Sequence, residues 1–191
     1  MKNTIPFILL LFPILLSAQN TNVSGMISNA QGTIVQSVEV SLLDEQGQLI
    51  TTQMTTNGRY TFEGLPAGYN YIIRLNKGGT PLNGLSTLDF VMIARHIIGI
   101  DPLGSELQIR TADIDGNGQV SVVDLVYLRH LILSIISELP NQRNWLFIAE
   151  DGTPPNSPQA NSFSFYLQGG SITKNFLIQK VGDLNDNAVY N

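Results

Sequence analysis

Oxygen-bearing side chains recur at fixed intervals in the run Asp113-Ile114-Asp115-Gly116-Asn117-Gly118-Gln119-Val120-Ser121-Val122-Val123-Asp124. Counted from Asp113, they occupy the first, third, fifth, ninth and twelfth places, and glycine occupies the sixth. A twelve-residue loop with this spacing wraps its oxygens around a single calcium ion. Calcium is a hard cation that takes about six to eight oxygen ligands. Asp113, Asp115, Asn117, Ser121 and Asp124 would supply side-chain oxygens, and Gln119 its backbone carbonyl. Gly118 permits the sharp turn that a Cβ would oppose, and Val120 is the apolar anchor. An ordinary Asp/Asn/Gly turn would not also place Val120, Ser121 and Asp124 correctly.

Parts of the loop occur twice more. Asn83-Gly84-Leu85-Ser86-Thr87-Leu88-Asp89 repeats the pattern of Gly118 to Asp124, with the same helical run behind it. Ser86 with Asp89, and Ser121 with Asp124, are also capping boxes, in which serine and an acid three residues on satisfy the first amides of a helix. The two roles are compatible. The upstream places of the first repeat are Gly78, Thr80 and Leu82, which cannot make a normal site, so capping alone accounts for it. Asp183, Asn185 and Asn187 form an opening half with no closing half after it. The sequence therefore predicts a split calcium site. Asp183, Asn185 and Asn187 supply the opening, Asp89 the closing carboxylate and Gly84 a carbonyl. The alternative is an exposed turn or a truncated further repeat.

The elements that must position these residues follow from periodicity. In residues 21–77, apolar side chains alternate at Val38, Val40 and Leu42, at Tyr60 and Phe62, and at Tyr69, Tyr71, Ile73 and Leu75. Gly, Asn and Pro mark the turns between them, which predicts short antiparallel strands in a small β-sandwich. Its strands close by local turns, so it is expected to fold alone and without metal. In residues 78–139 the period becomes helical at Phe90, Ile93, Ile97 and Ile98, and again at Leu125, Leu128, Ile132, Ile135 and Leu139. The second helix is expected to stop before Pro140. Residues 140–191 return to β character at Trp145-Leu146-Phe147, Phe163 to Leu167 and Phe176-Leu177-Ile178. The expected fold is mainly β with a small α module: an N-terminal sandwich, a two-helix calcium module and a C-terminal β extension packed on it.

Residues 1–18 read as a signal peptide, with Lys2, the apolar run Ile5 to Leu16, and a cleavage site at Leu16-Ser17-Ala18. The apolar run is too short for a comfortable membrane span, so no span is expected after cleavage. The chain contains no cysteine, which excludes disulfides, thiol catalysis and cysteine-ligated zinc. A net charge of −5 argues against a nucleic-acid partner. Arg95-His96 and Arg129-His130 fall on the exposed sides of their helices and have no evident partner for zinc or catalysis.

Asp at the twelfth place, followed by Leu125-Val126-Tyr127-Leu128-Arg129-His130-Leu131-Ile132, resembles a type I dockerin repeat. The order Asn83 to Thr87, Arg95 to Gly99, Ala112-Asp113, Leu139-Pro140-Asn141, Asn144-Trp145 and Lys180 to Asn185 is similar to the dockerin-like tails of secreted Bacteroidetes surface proteins. Within residues 23–71, Val23-Ser24-Gly25, Gly58-Arg59-Tyr60-Thr61-Phe62 and Leu65-Pro66-Ala67-Gly68 resemble the carboxypeptidase-regulatory-like, transthyretin-like modules of surface proteins. These resemblances imply calcium as cofactor, a secreted or cell-surface location, and a surface protein or cohesin-like domain as partner. Thr87-Leu88 and Val122-Val123 stand where dockerins often carry hydroxyl residues for cohesin.

Two readings remain open on sequence alone. One is a secreted calcium-binding interaction module. The other is a structural or adhesive surface spacer, or a non-catalytic accessory in polysaccharide degradation. No Gly-x-Ser-x-Gly elbow, His-Glu-x-x-His pair or phosphate loop is present, so no enzyme is expected.

Overall fold

The computed structural model describes residues 21–157 and 160–190. The signal-peptide reading of residues 1–18 falls outside them. Five strands come first: β1 (Thr21–Ser28), β2 (Glu39–Asp44), β3 (Leu49–Met54), β4 (Arg59–Leu65) and β5 (Tyr69–Asn76). Three helices follow, α1 (Thr87–Ile97), α2 (Glu106–Ala112) and α3 (Val122–Ile132). A 3-10 turn at Pro140–Gln142 leads to β6 (Trp145–Ala149), β7 (Ser162–Leu167), β8 (Ile172–Thr173) and β9 (Phe176–Lys180).

The strands make two facing sheets, one ordered β4-β1-β9-β6 with β8 also paired to β1, the other β3-β2-β5-β7. Both sheets thus draw on both halves of the chain. The core between them joins Val23, Val40, Phe62 and Ile73 to Phe147, Phe163, Leu167, Phe176 and Ile178. The expected division into a self-contained sandwich at 21–77 and a separate extension at 140–191 is therefore corrected. A local turn closes the pair β2–β3, whereas the turn after β4 carries the chain across to β5 in the other sheet. β1 pairs with β4 and β5 with β2 on one edge, but their other edges are filled by β8 and β9 on one sheet and by β7 on the other.

A second core lies under the helices and contains Ile93, Ile114, Leu128, Leu131, Leu146, Val181 and Leu184. β6 serves both cores. Trp145, Phe147 and Ala149 face the opposite sheet, while Leu146 and Ile148 face the helices. This explains why β6 is nearly continuously apolar instead of alternating.

The α module has three helices, not two. Ser105 caps the unanticipated α2 by accepting a hydrogen bond from the Gln108 amide. α3 does stop before Pro140, but already at Ile132, so Ile135 and Leu139 lie outside the helix their spacing suggested. Ser134 then takes a left-handed φ of 55°, and the Ile135 N–H returns to the His130 carbonyl. Gly99 makes the same exit from α1 with φ 74°, as expected of a left-handed helix terminus. His96 is half-buried, and its Nδ1 accepts a hydrogen bond from the Leu103 N–H at 3.1 Å.

Residues 21–77 expressed alone will give no cooperative β-type melt, because half of the partners of their core are missing. Circular dichroism of the fragment against the full chain checks this. A sharp melt of the fragment would restore the independent sandwich.

Candidate metal centre

The Asp113–Asp124 loop is folded around its acids. Carboxylate oxygens of Asp113, Asp115 and Asp124 all lie within 4.8 Å of one another. The loop leaves the C-terminus of α2 and enters α3, whose first turn carries Asp124. Gly118 sits at φ +88°, a left-handed conformation that side chains rarely adopt. Asp113 Oδ1 accepts from the Asn117 N–H at 3.0 Å, and its Oδ2 from the Gly118 N–H at 2.9 Å. Asp124 Oδ1 accepts from the amides of Ile114 at 2.8 Å and Asp115 at 3.3 Å. Its other oxygen takes the Ser121 N–H at 2.8 Å, which completes the capping box. Asp124 is thus both helix cap and loop closure, as the sequence allowed.

The loop offers oxygen donors only, which fits a hard divalent cation. Each ionised carboxylate has about four acceptor sites. Asp113 and Asp115 accept two hydrogen bonds each and so keep lone pairs for a metal. Asp124 also accepts from the Ser121 hydroxyl at 3.2 Å, and there a metal would take the place of one of these contacts. Without one, such close carboxylates repel each other, on the order of 3 kcal/mol per pair before solvent screening. Burial pushes the Asp113 carboxyl above its ordinary range, and the charge of Asp124 adds to this. The Gly118 and Asn117 amides and Arg143 pull the other way. Of the remaining candidate ligands, Asn117 and Gln119 are exposed and Ser121 is half-buried. Val120 packs against the second core, as an anchor should.

Sequence reasoning missed Arg143. It is only 5 % exposed, and its Nη1 donates to the Asp113 carbonyl. Its charge lies close enough to Asp113, Asp115 and Asp124 to be felt there. No spacing rule links it to the loop, because the 3-10 turn at Pro140 is what brings it there.

The two partial repeats also meet. Asp89 and Asp183 are both 0 % exposed. Asp89 Oδ1 accepts from the Leu184 N–H at 2.9 Å and the Asn185 N–H at 3.4 Å. Asp183 Oδ1 accepts from the Asn187 N–H at 3.3 Å, and its Oδ2 from the Ala188 N–H at 2.8 Å. Gly84 lies directly against Ala188. Asn83, another residue the sequence did not single out, clamps Val189. Its Oδ1 accepts from the Val189 N–H at 3.0 Å and its Nδ2 donates to the Val189 carbonyl at 2.7 Å. Burial, with the charges of Asp89 and Asp186, raises the Asp183 carboxyl against the pull of the Ala188 and Asn187 amides. The Gly182 N–H donates to the Thr111 carbonyl at 2.8 Å, which sets the two loop openings side by side.

No family model matches the chain, and no curated protein matches it. Among solved structures it is similar to the Bacillus anthracis TIE protein, with TM-score 0.38 and 11% identity over 85% of this chain and 17% of that one. It is also similar to a bacterial adhesin from Mobiluncus mulieris, with TM-score 0.32 and 8% identity over 84% of this chain and 41% of that one. BcpA, the major pilin subunit of Bacillus cereus, gives TM-score 0.29 and 20% identity over 32% of this chain and 20% of that one. The chain spans less than half of each. At these TM-scores the functional reading rests on the site itself.

Without metal, the raised Asp113 carboxyl favours the fold when protonated. That contribution is full below the ordinary carboxylate range and is lost as pH rises through the raised value. Calcium should therefore stabilise the protein more at about pH 7 than at about pH 4, where protons compete for the same oxygens. Thermal melts with and without calcium at the two pH values test this. An equal or larger calcium effect at the lower pH would contradict it.

Proposed function

We propose that this chain is a non-catalytic module of a secreted or surface-exposed protein, in which calcium fixes the helical segment onto the β-sandwich. Its role on this reading is structural or adhesive. The supporting observation is the Asp113–Asp124 loop, whose three carboxylates converge on one point while its amides hold each of them in place. A site of three carboxylates and one amide suits extracellular calcium, at a dissociation constant on the order of 10⁻⁴ M. Calcium at about a hundred times that constant would add about 2.7 kcal/mol to the folded state. The ion would hold the loop with Asp113, Asp115, Asn117, the Gln119 carbonyl, Ser121 and Asp124.

A second observation favours a docking role for the same module. α1 and α3 pack on each other and expose equivalent apolar residues: Leu88 with Val123, Val91 with Val126, and Ile98 with Leu133. This doubled face would suit an apolar protein surface. Replacing Val91 and Val126 by Lys should leave the melting temperature unchanged and abolish retention on cells that bind the wild-type protein. Unchanged retention would remove the docking role.

Calcium at about 10 mM should raise the unfolding midpoint by roughly 5–10 °C over the chelated protein, given about 2–4 °C per kcal/mol for a chain of this size. Asp115→Ala should weaken binding at least tenfold while leaving the chelated protein nearly as stable, since Asp115 caps no helix. Asp124→Ala should lose binding and also about 1 kcal/mol of metal-free stability, through its capping box. Differential scanning calorimetry reads both quantities. Identical midpoints with calcium and with chelator would end the proposal.

A further inference from the structure

We propose that residues 83–89 and 183–189 form a second calcium site, split across the sequence, whose ion ties the C-terminal segment to the start of α1. The proposal rests on the calcium reading of the contiguous loop, which serves as its template.

The first support is a buried polar atom with no use in the fold. Asn185 Oδ1 is buried and has no hydrogen-bond partner among the described residues. Leaving such an acceptor unmatched is costly to the folded state. Asn185 holds the third place of its half-loop, where the contiguous loop has Asp115. The Asp115 carboxylate lies within 4.8 Å of those of Asp113 and Asp124. A cation would employ the Asn185 oxygen in the same way.

The second support is buried negative charge that amides meet but no ion pair among the described residues neutralises. Asp89 and Asp183 are completely buried, yet neither joins the ion pairs found among the described residues, Arg95–Asp101 and Lys174–Asp151. Lys180 is a buried cation that feels the charge of Asp183. Its ammonium instead contacts the Val181 carbonyl at 3.5 Å and lies 5.8 Å from the Trp145 ring centre. Buried charges require a partner, and these two share one place.

The two sites also correspond atom by atom. Asp89 holds the amides of Leu184 and Asn185 as Asp124 holds those of Ile114 and Asp115. Asp183 holds Asn187 and Ala188 as Asp113 holds Asn117 and Gly118. Ile114 and Leu184 both belong to the second core, with Val120 and Leu85 packed against it. The break in the chain falls between Val189 and Gly84, at the rim, where Asn83 fastens the two ends together. A Cβ added to Gly84 would stand 2.6 Å from the Ala188 Cα, at a φ of +76°. Only glycine lets the two halves approach this closely.

Isothermal titration of the full chain with calcium chloride is the test, with circular dichroism to confirm folding. The wild type should bind two calcium ions, and Asp183→Asn and Asp115→Ala one each. Asp183→Asn keeps an acceptor for the Ala188 amide while removing the charge. Should it not fold, Asn185→Ala is the substitute and should weaken one site of two at least tenfold. Amide exchange at Leu184 and Ala188 should slow at least tenfold with calcium. A single site, lost in Asp115→Ala and kept in Asp183→Asn and Asn185→Ala, would overturn the split site and leave the contiguous one standing. A single site with the opposite dependence would uphold the split site and overturn the contiguous loop. No binding by the wild type would overturn both.

Discussion

Four buried carboxylates govern the architecture around the helices. Asp89, Asp124 and Asp183 are completely inaccessible, and Asp113 nearly so. Charge at such depth is costly unless donors or a cation meet it. The chain meets it first with backbone amides. Each acid receives at least two N–H groups from loop residues, and Asp89 and Asp124 cap α1 and α3 with the same carboxylates. The acids thereby dictate the course of the backbone, since the amides must converge wherever the carboxylates lie. A structural calcium ion exploits a frame of this kind, because it adds attraction where the amides have already fixed the oxygens.

The helical segment is an insertion between β5 and β6, not an appended domain. β6 and β9 carry the chain back into the sheet of β1, and β7 carries it into the sheet of β5. β9 then passes through Val181 into Gly182 and Asp183. The strand that fills the sandwich and the half-loop beneath the helices are therefore one continuous piece. Tightening the loops would pull directly on β9, the strand paired with both β1 and β6. The Trp145 Nε1 donor to the Gly78 carbonyl at 3.2 Å adds a link at the entrance to the insertion. On the proposed reading, calcium would thus brace the whole chain, which has no cysteine for disulfides.

Much of this was legible in the residues. The contiguous loop, both capping boxes and most strands follow from spacing and period, because their physics acts over a dozen residues or fewer. The meeting of Asp89 with the segment after Asp183 could be anticipated too, because two complementary half-patterns can be matched without knowing the fold, although the first of them also serves as a capping box. Counting Ile135 and Leu139 into α3 failed because apolar period alone does not mark a helix end. Ile135 and Leu139 keep the spacing after Ser134 has already turned the chain out.

What the sequence by itself determined is local: which residues can gather around a cation, where helices begin, and which runs are strands. The tertiary structure decided what completes what. β1 and β5 carry no signal naming β9 and β7 as their partners, since sheet hydrogen bonds are made by backbone that is alike in every residue. Arg143 reaches the Asp113 carbonyl, and Asn83 reaches Val189, only because the intervening strands return the chain to the helices. Those contacts depend on the closing of long loops, whose outcome is set by the sum of two cores and not by any motif.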